Sequence, residues 1–124
     1  MKQENDSFRP IRLVDPKVIK RRGYYTCQVM SCDYKDQELN VAFEVTKGDK
    51  KGFRMRTNIK MSYRGIARLT YLCEAAGISR ELTDPKELIG KKVKVRVVPR
   101  NFTRQGRTYL VHRITRFHHV SRKF

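Results

Sequence analysis

Two stretches of this chain alternate residue types with a period of two, and they limit the fold more than any other feature. In the first, Leu39, Val41, Phe43 and Val45 are interleaved with Asn40, Ala42 and Glu44; in the second, Val93, Val95 and Val97 are interleaved with Lys92, Lys94 and Arg96. A period of two sends successive side chains to opposite faces of a strand, so each stretch offers one face to a core and the other to solvent.

Further strands follow from the same reading. From Gly23 to Asp33 the chain is rich in aromatic and β-branched residues, with Tyr25, Cys27 and Val29 on one face and Tyr24, Thr26 and Gln28 on the other. The polar run Tyr34 to Glu38 makes a turn into the first alternating stretch. The basic turn Lys47 to Gly52 leads into FRMRTN, where Phe53, Met55 and Thr57 alternate with Arg54, Arg56 and Asn58. After the Val93 strand, PRNFTRQG reads as a loop and Arg107 to Arg116 as a last strand.

Between the third and fourth strands the period changes. Ile66, Leu69, Cys73 and Ala76 recur at helical spacing, Ser62 is placed to cap the N-terminus, and Gly77-Ile78 suits a left-handed stop, which predicts a helix over 63–76. Thr83 to Leu88, with Asp84 as cap and Pro85 early in the turn, predicts a short helical turn ended by Gly90. Lys60, Arg64 and Arg68 fall at four-residue offsets and would form a basic stripe along the helix.

The length of 124 residues suits one domain over 23–117, preceded by a basic arm over 1–22 and followed by a short basic tail over 118–124. The arm carries Arg9, Arg12, Lys17, Lys20, Arg21 and Arg22, and is expected to stay loose or lie over the domain; the tail HHVSRKF is expected to fray. Lys and Arg number 29 against 12 Asp and Glu, a formal net charge of +17. That excess runs through nearly every segment, so the folded surface itself must attract polyanions.

No run is apolar enough for a transmembrane helix, and MKQENDSFRP lacks the apolar centre of a secretory signal, so no membrane partner is expected. Three cysteines form no even disulfide framework, which points to a reducing cytoplasm. Cys27 and Cys32, an odd offset apart on one strand, should face opposite ways, which argues against a metal site. His112, His118 and His119 come late and without evident partners. No carboxylate pair, Ser/His/Asp set or phosphate-cradling glycine loop is visible, so neither an enzyme nor a cofactor is expected.

The order strand, strand, strand, helix, strand, strand is that of an all-β OB-fold, a β-barrel with one helix between the third and fourth strands. Such a barrel binds oligonucleotides on the strand 2–3 face and on the loops joining strands 1–2 and 4–5. Those elements hold Tyr34, Lys35, Arg54, Arg56, Arg100, Phe102, Arg104 and Arg107. Lys60, Arg64, Lys94 and Arg96 extend the candidate surface, and Tyr24 and Tyr109 add rings. Cations neutralise phosphates and rings stack on unpaired bases, which is what sequence-independent binding of single strands requires. Recognition helices, zinc fingers and basic zippers, the usual readers of duplex grooves, are not evident.

The stretch from Gly23 to Phe117 resembles the OB-fold single-stranded DNA-binding proteins of bacteriophages and mobile elements. The likeness is carried by GYYTCQV, FRMRTN, LCEAAGIS, DPKELIGKKVKV and RTYLVHRI, in that order. The resemblance implies a non-enzymatic role: coating and protecting single-stranded DNA during replication or recombination, in a bacterial cytoplasm or a phage-infected host. It departs from the bacterial single-stranded DNA-binding proteins in its end, SRKF, where those carry an acidic tail that recruits partners. RNA binding stays open, as does an accessory role beside a helicase or polymerase; so do replication or recombination proteins as partners and a homo-oligomer.

Overall fold

The structure, a computed structural model, describes Pro10 and residues 17–124; Arg9 and Arg12 of the basic arm lie outside the described residues. Five strands and one helix follow in the order β1 (Gly23–Lys35), β2 (Glu38–Val45), β3 (Arg54–Lys60), α1 (Tyr63–Ala75), β4 (Lys92–Arg104) and β5 (Arg107–His118), with a 3₁₀ turn at Pro85–Leu88 before β4. All strand pairs are antiparallel and the sheet order is β3-β2-β1-β4-β5. The mostly-β architecture and the position of the helix agree with the sequence pattern. Strand pairing does not close the sheet into the expected barrel, because β3 and β5 remain its two edges.

The sheet curls around its apolar side. Leu39, Val41, Phe43 and Val45 of β2 and Val93, Val95 and Val97 of β4 are all buried, as the alternation requires. The Phe43 and Phe117 rings, from β2 and β5, lie 6.0 Å apart across the interior. The arm adds a core residue that the sequence reading missed. Ile19 is fully buried, and its carbonyl meets His112 Nε2 at 2.8 Å while that imidazole packs edge-on against Phe53. His112 therefore has a partner, and the segment from Lys17 to Arg22 is docked rather than loose.

Two turns are tighter than the sequence suggested. Asp36 and Gln37 both have positive φ and join β1 to β2 in two residues; Gln105 and Gly106 do the same for β4 and β5. PRNFTRQG is consequently not a loop, since most of it extends β4 into a ribbon paired with β5. In β1 the ladder shifts between Val29 and Ser31, a bulge that lets Met30 out and resets the alternation. Cys27 and Cys32 therefore both face the core instead of opposite ways.

Helix α1 starts and stops as expected. Ser62 Oγ accepts from the Gly65 amide, and at the other end Gly77 N donates to Glu74 O and Ile78 N to Cys73 O, with Ile78 buried against the last turn. Its inward face differs from the expectation: Leu72, Cys73 and Ala75 are buried, while Ile66 is exposed. The 3₁₀ turn is held by a capping box between Asp84 and Glu87. Hydrogen bonds from Thr83 Oγ1, from the Asp84 and Thr83 amides and from Arg80 keep the Glu87 carboxyl far below the usual range, at about 2. No helix among the described residues is long and apolar enough to cross a membrane.

Candidate nucleic-acid interface

The seam between the edge strands is spanned by one side chain. Arg68 leaves α1 toward the gap and its guanidinium donates to Thr57 Oγ1 (2.8 Å) and Asn58 O (3.4 Å) on β3 and to Ile114 O (2.6 Å) on β5, while lying 5.4 Å from the Phe117 ring. The fork of a guanidinium suits such bridging, since its donors point several ways in one plane. The helix can come this close because residue 65 is glycine: a Cβ there would stand 1.6 Å from Lys60 O. All the oxygens that Arg68 meets are neutral. Burial and the nearby Arg113 charge lower its pKa, and no carboxylate pairs with it among the described residues. The basic stripe expected along the helix is therefore not formed: Lys60 belongs to β3, Arg64 faces solvent and Arg68 turns inward.

Above this bridge opens a cleft of about 960 Å³, lined by Arg56, Thr57 and Asn58 of β3, Asn40 of β2, Arg68, and His112 to Thr115 of β5. A second depression, of about 520 Å³, lies on the outward side of β1, β2 and β3 between Met30, Ala42, Arg54 and Arg56. Arg56 lines both and stands where the two adjoin; together they make up the candidate trough. Cross-strand pairing sets its cations. Glu44 faces Arg54 and binds it at 2.8 Å, whereas Arg56 faces Ala42 and makes no ion pair among the described residues. The three rows Glu44–Arg54, Ala42–Arg56 and Asn40–Asn58 give the trough floor its polarity.

The β4–β5 ribbon continues from the cleft through Arg113. Residues directly opposite one another share a face in an antiparallel ladder, so Val98–Arg113, Arg100–Val111, Phe102–Tyr109 and Arg104–Arg107 stack along one side. Phe102 and Tyr109 are about half exposed and form an aromatic step between two basic ones. The ribbon thus presents a facing pair of rings with cations on either side of it.

The expected site residues separate into groups. Arg54 and Arg56 line the trough, and Arg100, Phe102, Arg104, Arg107 and Tyr109 share one face of the ribbon. Tyr34 and Lys35 sit at the exposed end of the β1–β2 hairpin, where Lys35 faces Glu38 and Glu38 faces Lys60. Tyr24, Lys94 and Arg96 lie further back along that same outward face of β4, where it pairs with β1. There the tail is not frayed: the Phe124 ring stacks on Tyr24 at 3.7 Å and 4°, with His118, Lys94 and Arg122 around it.

Arg113 and the inward turn of Arg68 were not anticipated, although the bulge at Thr115 that aims Arg113 into the cleft leaves no mark in the sequence. The sulfur chemistry is inert. Burial pushes the Cys27 thiol up to about 12 and, together with Asp33, Cys73 and Asp84, the Cys32 thiol up to about 11. Among the described residues no group of His, Cys, Asp and Glu side chains is gathered that could hold a metal ion.

No protein-family model matches the chain, and no curated protein matches it significantly.

Proposed function

We propose that this chain is an OB-fold protein that binds single-stranded DNA without regard to sequence, coating and protecting strands exposed during replication or recombination. The observation that carries the reading is the trough shared by Arg56, with the uncompensated Arg68 in its floor and the ribbon's Phe102–Tyr109 step at its exit. A phosphate backbone laid there meets Arg56, Arg68 and Arg113, which carry no carboxylate partner among the described residues, and their neutralisation releases counterions. Unpaired bases find a ring pair able to stack any of the four.

The fold assignment draws on the strand order β3-β2-β1-β4-β5 with a helix after β3, and on that helix reaching both edges through Arg68. In an OB-fold the β2–β3 face and the β1–β2 and β4–β5 connections bind the ligand, which matches the trough, the Tyr34–Lys35 hairpin and the ribbon. The cleft half of the trough is walled by Arg68 of the helix and by His112 to Thr115 of β5, opposite Arg56, Thr57 and Asn58 of β3, an arrangement suited to one flexible strand.

Fluorescence anisotropy with one labelled oligonucleotide, competed by unlabelled single-stranded DNA, duplex DNA and RNA of the same sequence, tests the reading. Single-stranded DNA is expected to compete best. A preference for RNA would transfer the role to RNA, and a preference for duplex would overturn the use of the trough.

A further inference from the structure

Strands β4 and β5 contain five and three Lys or Arg residues and no Asp or Glu. Part of that charge lies outside the trough, toward the β1 end of the same face that carries the ribbon's Phe102–Tyr109 step. On the outward side of β1, β4 and β5, Tyr24 faces Arg96 and Arg96 faces Arg116; in the next row Thr26 faces Lys94 and Lys94 faces His118. Like charges directly opposite each other in a ladder are destabilising. Neither ion pair of the described residues, Arg54–Glu44 or Arg80–Glu87, reaches this face. Among the described residues the Arg96 guanidinium has the Thr115 hydroxyl as its side-chain partner, at 3.1 Å.

A path joins this face to the trough. Arg68 and Thr115, which line the large cleft, also line a smaller one of about 380 Å³ whose further wall is Tyr71, Arg116 and His118. From Arg56 the surface therefore runs over Arg68 and Thr115 to Arg116, then across the ladder to Arg96 and Tyr24. Cations recur along the whole length. At its end the Tyr24 ring already holds a flat partner, Phe124, stacked nearly parallel and surrounded by Lys94 and Arg122. That is the arrangement a nucleobase takes between a ring and phosphate-binding cations.

We infer that the outward face of β1, β4 and β5 is a second site for the same single strand: Lys94, Arg96 and Arg116 bind its phosphates, and Tyr24 stacks a base after displacing Phe124. The inference rests on the proposed single-strand binding and extends it from a groove to a wrapped path. An anionic backbone between Arg96 and Arg116 relieves a repulsion that nothing in the described residues offsets. Phe124 keeps the end of the path closed to strands too short to reach it.

The test compares oligothymidylates of about 8 and about 30 nucleotides, lengths within and above the range one such fold covers. Binding to the Arg96→Ala/Arg116→Ala and Phe124→Ala proteins is measured by anisotropy across salt concentrations. The double variant is expected to bind the short strand as wild type does, and the long strand about tenfold more weakly with a salt slope smaller by about 1.4, the change for two phosphates. Lysine at both positions should restore the slope. Phe124→Ala should tighten long-strand binding several-fold and leave the short strand unaffected.

Equal long-strand affinity and slope in the double variant and wild type would overturn the second site while leaving the trough untouched, and unchanged or weaker long-strand binding by Phe124→Ala would overturn the closing role of Phe124. Failure of wild type to bind either strand would overturn the proposed function itself. Thermal unfolding of the double variant separates these outcomes from misfolding, because removal of a like-charge pair should leave its midpoint unchanged or higher.

Discussion

Arg68 Nη2 donates to the carbonyl of Ile114 at 2.6 Å, and through that bond a helix ties together two sheet edges that do not pair with each other. The same guanidinium also binds Thr57 on β3, so it stands where a barrel's closing ladder would run. It is at once a structural bridge and an unneutralised charge in the trough floor. Arg68→Ala should cost about 3 kcal/mol in urea unfolding, since bonds from a charged donor contribute about 1.5–3 kcal/mol each and solvent replaces part of the loss. Arg68→Lys keeps the charge without the fork and should recover less than half of that. Full recovery by lysine would mean that charge alone holds the seam.

Gly65 is the condition for that bridge. A methyl group at this position meets the Lys60 carbonyl, which belongs to a strand and cannot swing aside. Gly65→Ala should therefore destabilise by about 3 kcal/mol, the upper range for overpacking, despite the better helix propensity of alanine. An alanine protein as stable as wild type would show that the helix start can lift from β3 at no cost.

The ribbon separates stacking from charge. Phe102 and Tyr109 are exposed and face each other, so Phe102→Ala and Tyr109→Ala should leave thermal stability nearly intact. Each should weaken single-strand binding by about 1–3 kcal/mol with little change in salt slope, because a stacked base releases no counterions. A fall in slope equal to that of an arginine variant would argue that the rings act only by placing neighbouring cations.

The buried thiols set an alkaline limit. An unfolded thiol titrates near its ordinary value of 9.0, whereas Cys27 and Cys32 keep their protons to about 12 and about 11 in the folded chain. Above pH 9.0 the unfolded state thus binds fewer protons than the native one, and stability falls as pH rises. The urea midpoint is expected to hold below about pH 9 and to decline from there toward pH 11. At pH 8 iodoacetamide should label these thiols only after unfolding; rapid labelling of native protein would contradict their burial.

What the sequence disclosed depended on whether a residue's role is local. Val93, Val95 and Val97 announce their strand because burial of one face and exposure of the other repeat every second residue. Ser62, Gly77 and Asp84 announce element ends because their bonds close within a few residues. Arg68 looked like one more solvated helix cation, since its partners come from β3 and β5, far away in sequence. The bulge at Met30 hid the shared orientation of Cys27 and Cys32. Pro99 and the polar run after it read as a loop, while the two-residue turn at Gln105–Gly106 lets that run pair as a ribbon. Of the candidate site, Arg54, Arg56 and Phe102 were legible as outward-facing residues; the pairing that sets Tyr24 beside Arg96, away from Arg54 and Arg56, required the sheet order.

Arg56 offers the most direct measurement of the central claim, because it lines both halves of the trough, faces Ala42 and makes no ion pair among the described residues. Its neighbour Arg54 is engaged by Glu44 and should matter less. Anisotropy of a labelled single-stranded oligonucleotide, titrated with Arg56→Ala protein at several salt concentrations, is expected to show about tenfold weaker binding and a salt slope reduced by about 0.7, one phosphate contact, with thermal stability unchanged. Affinity and slope equal to those of wild type in a folded Arg56→Ala protein would contradict the assignment of the trough as the strand-binding site.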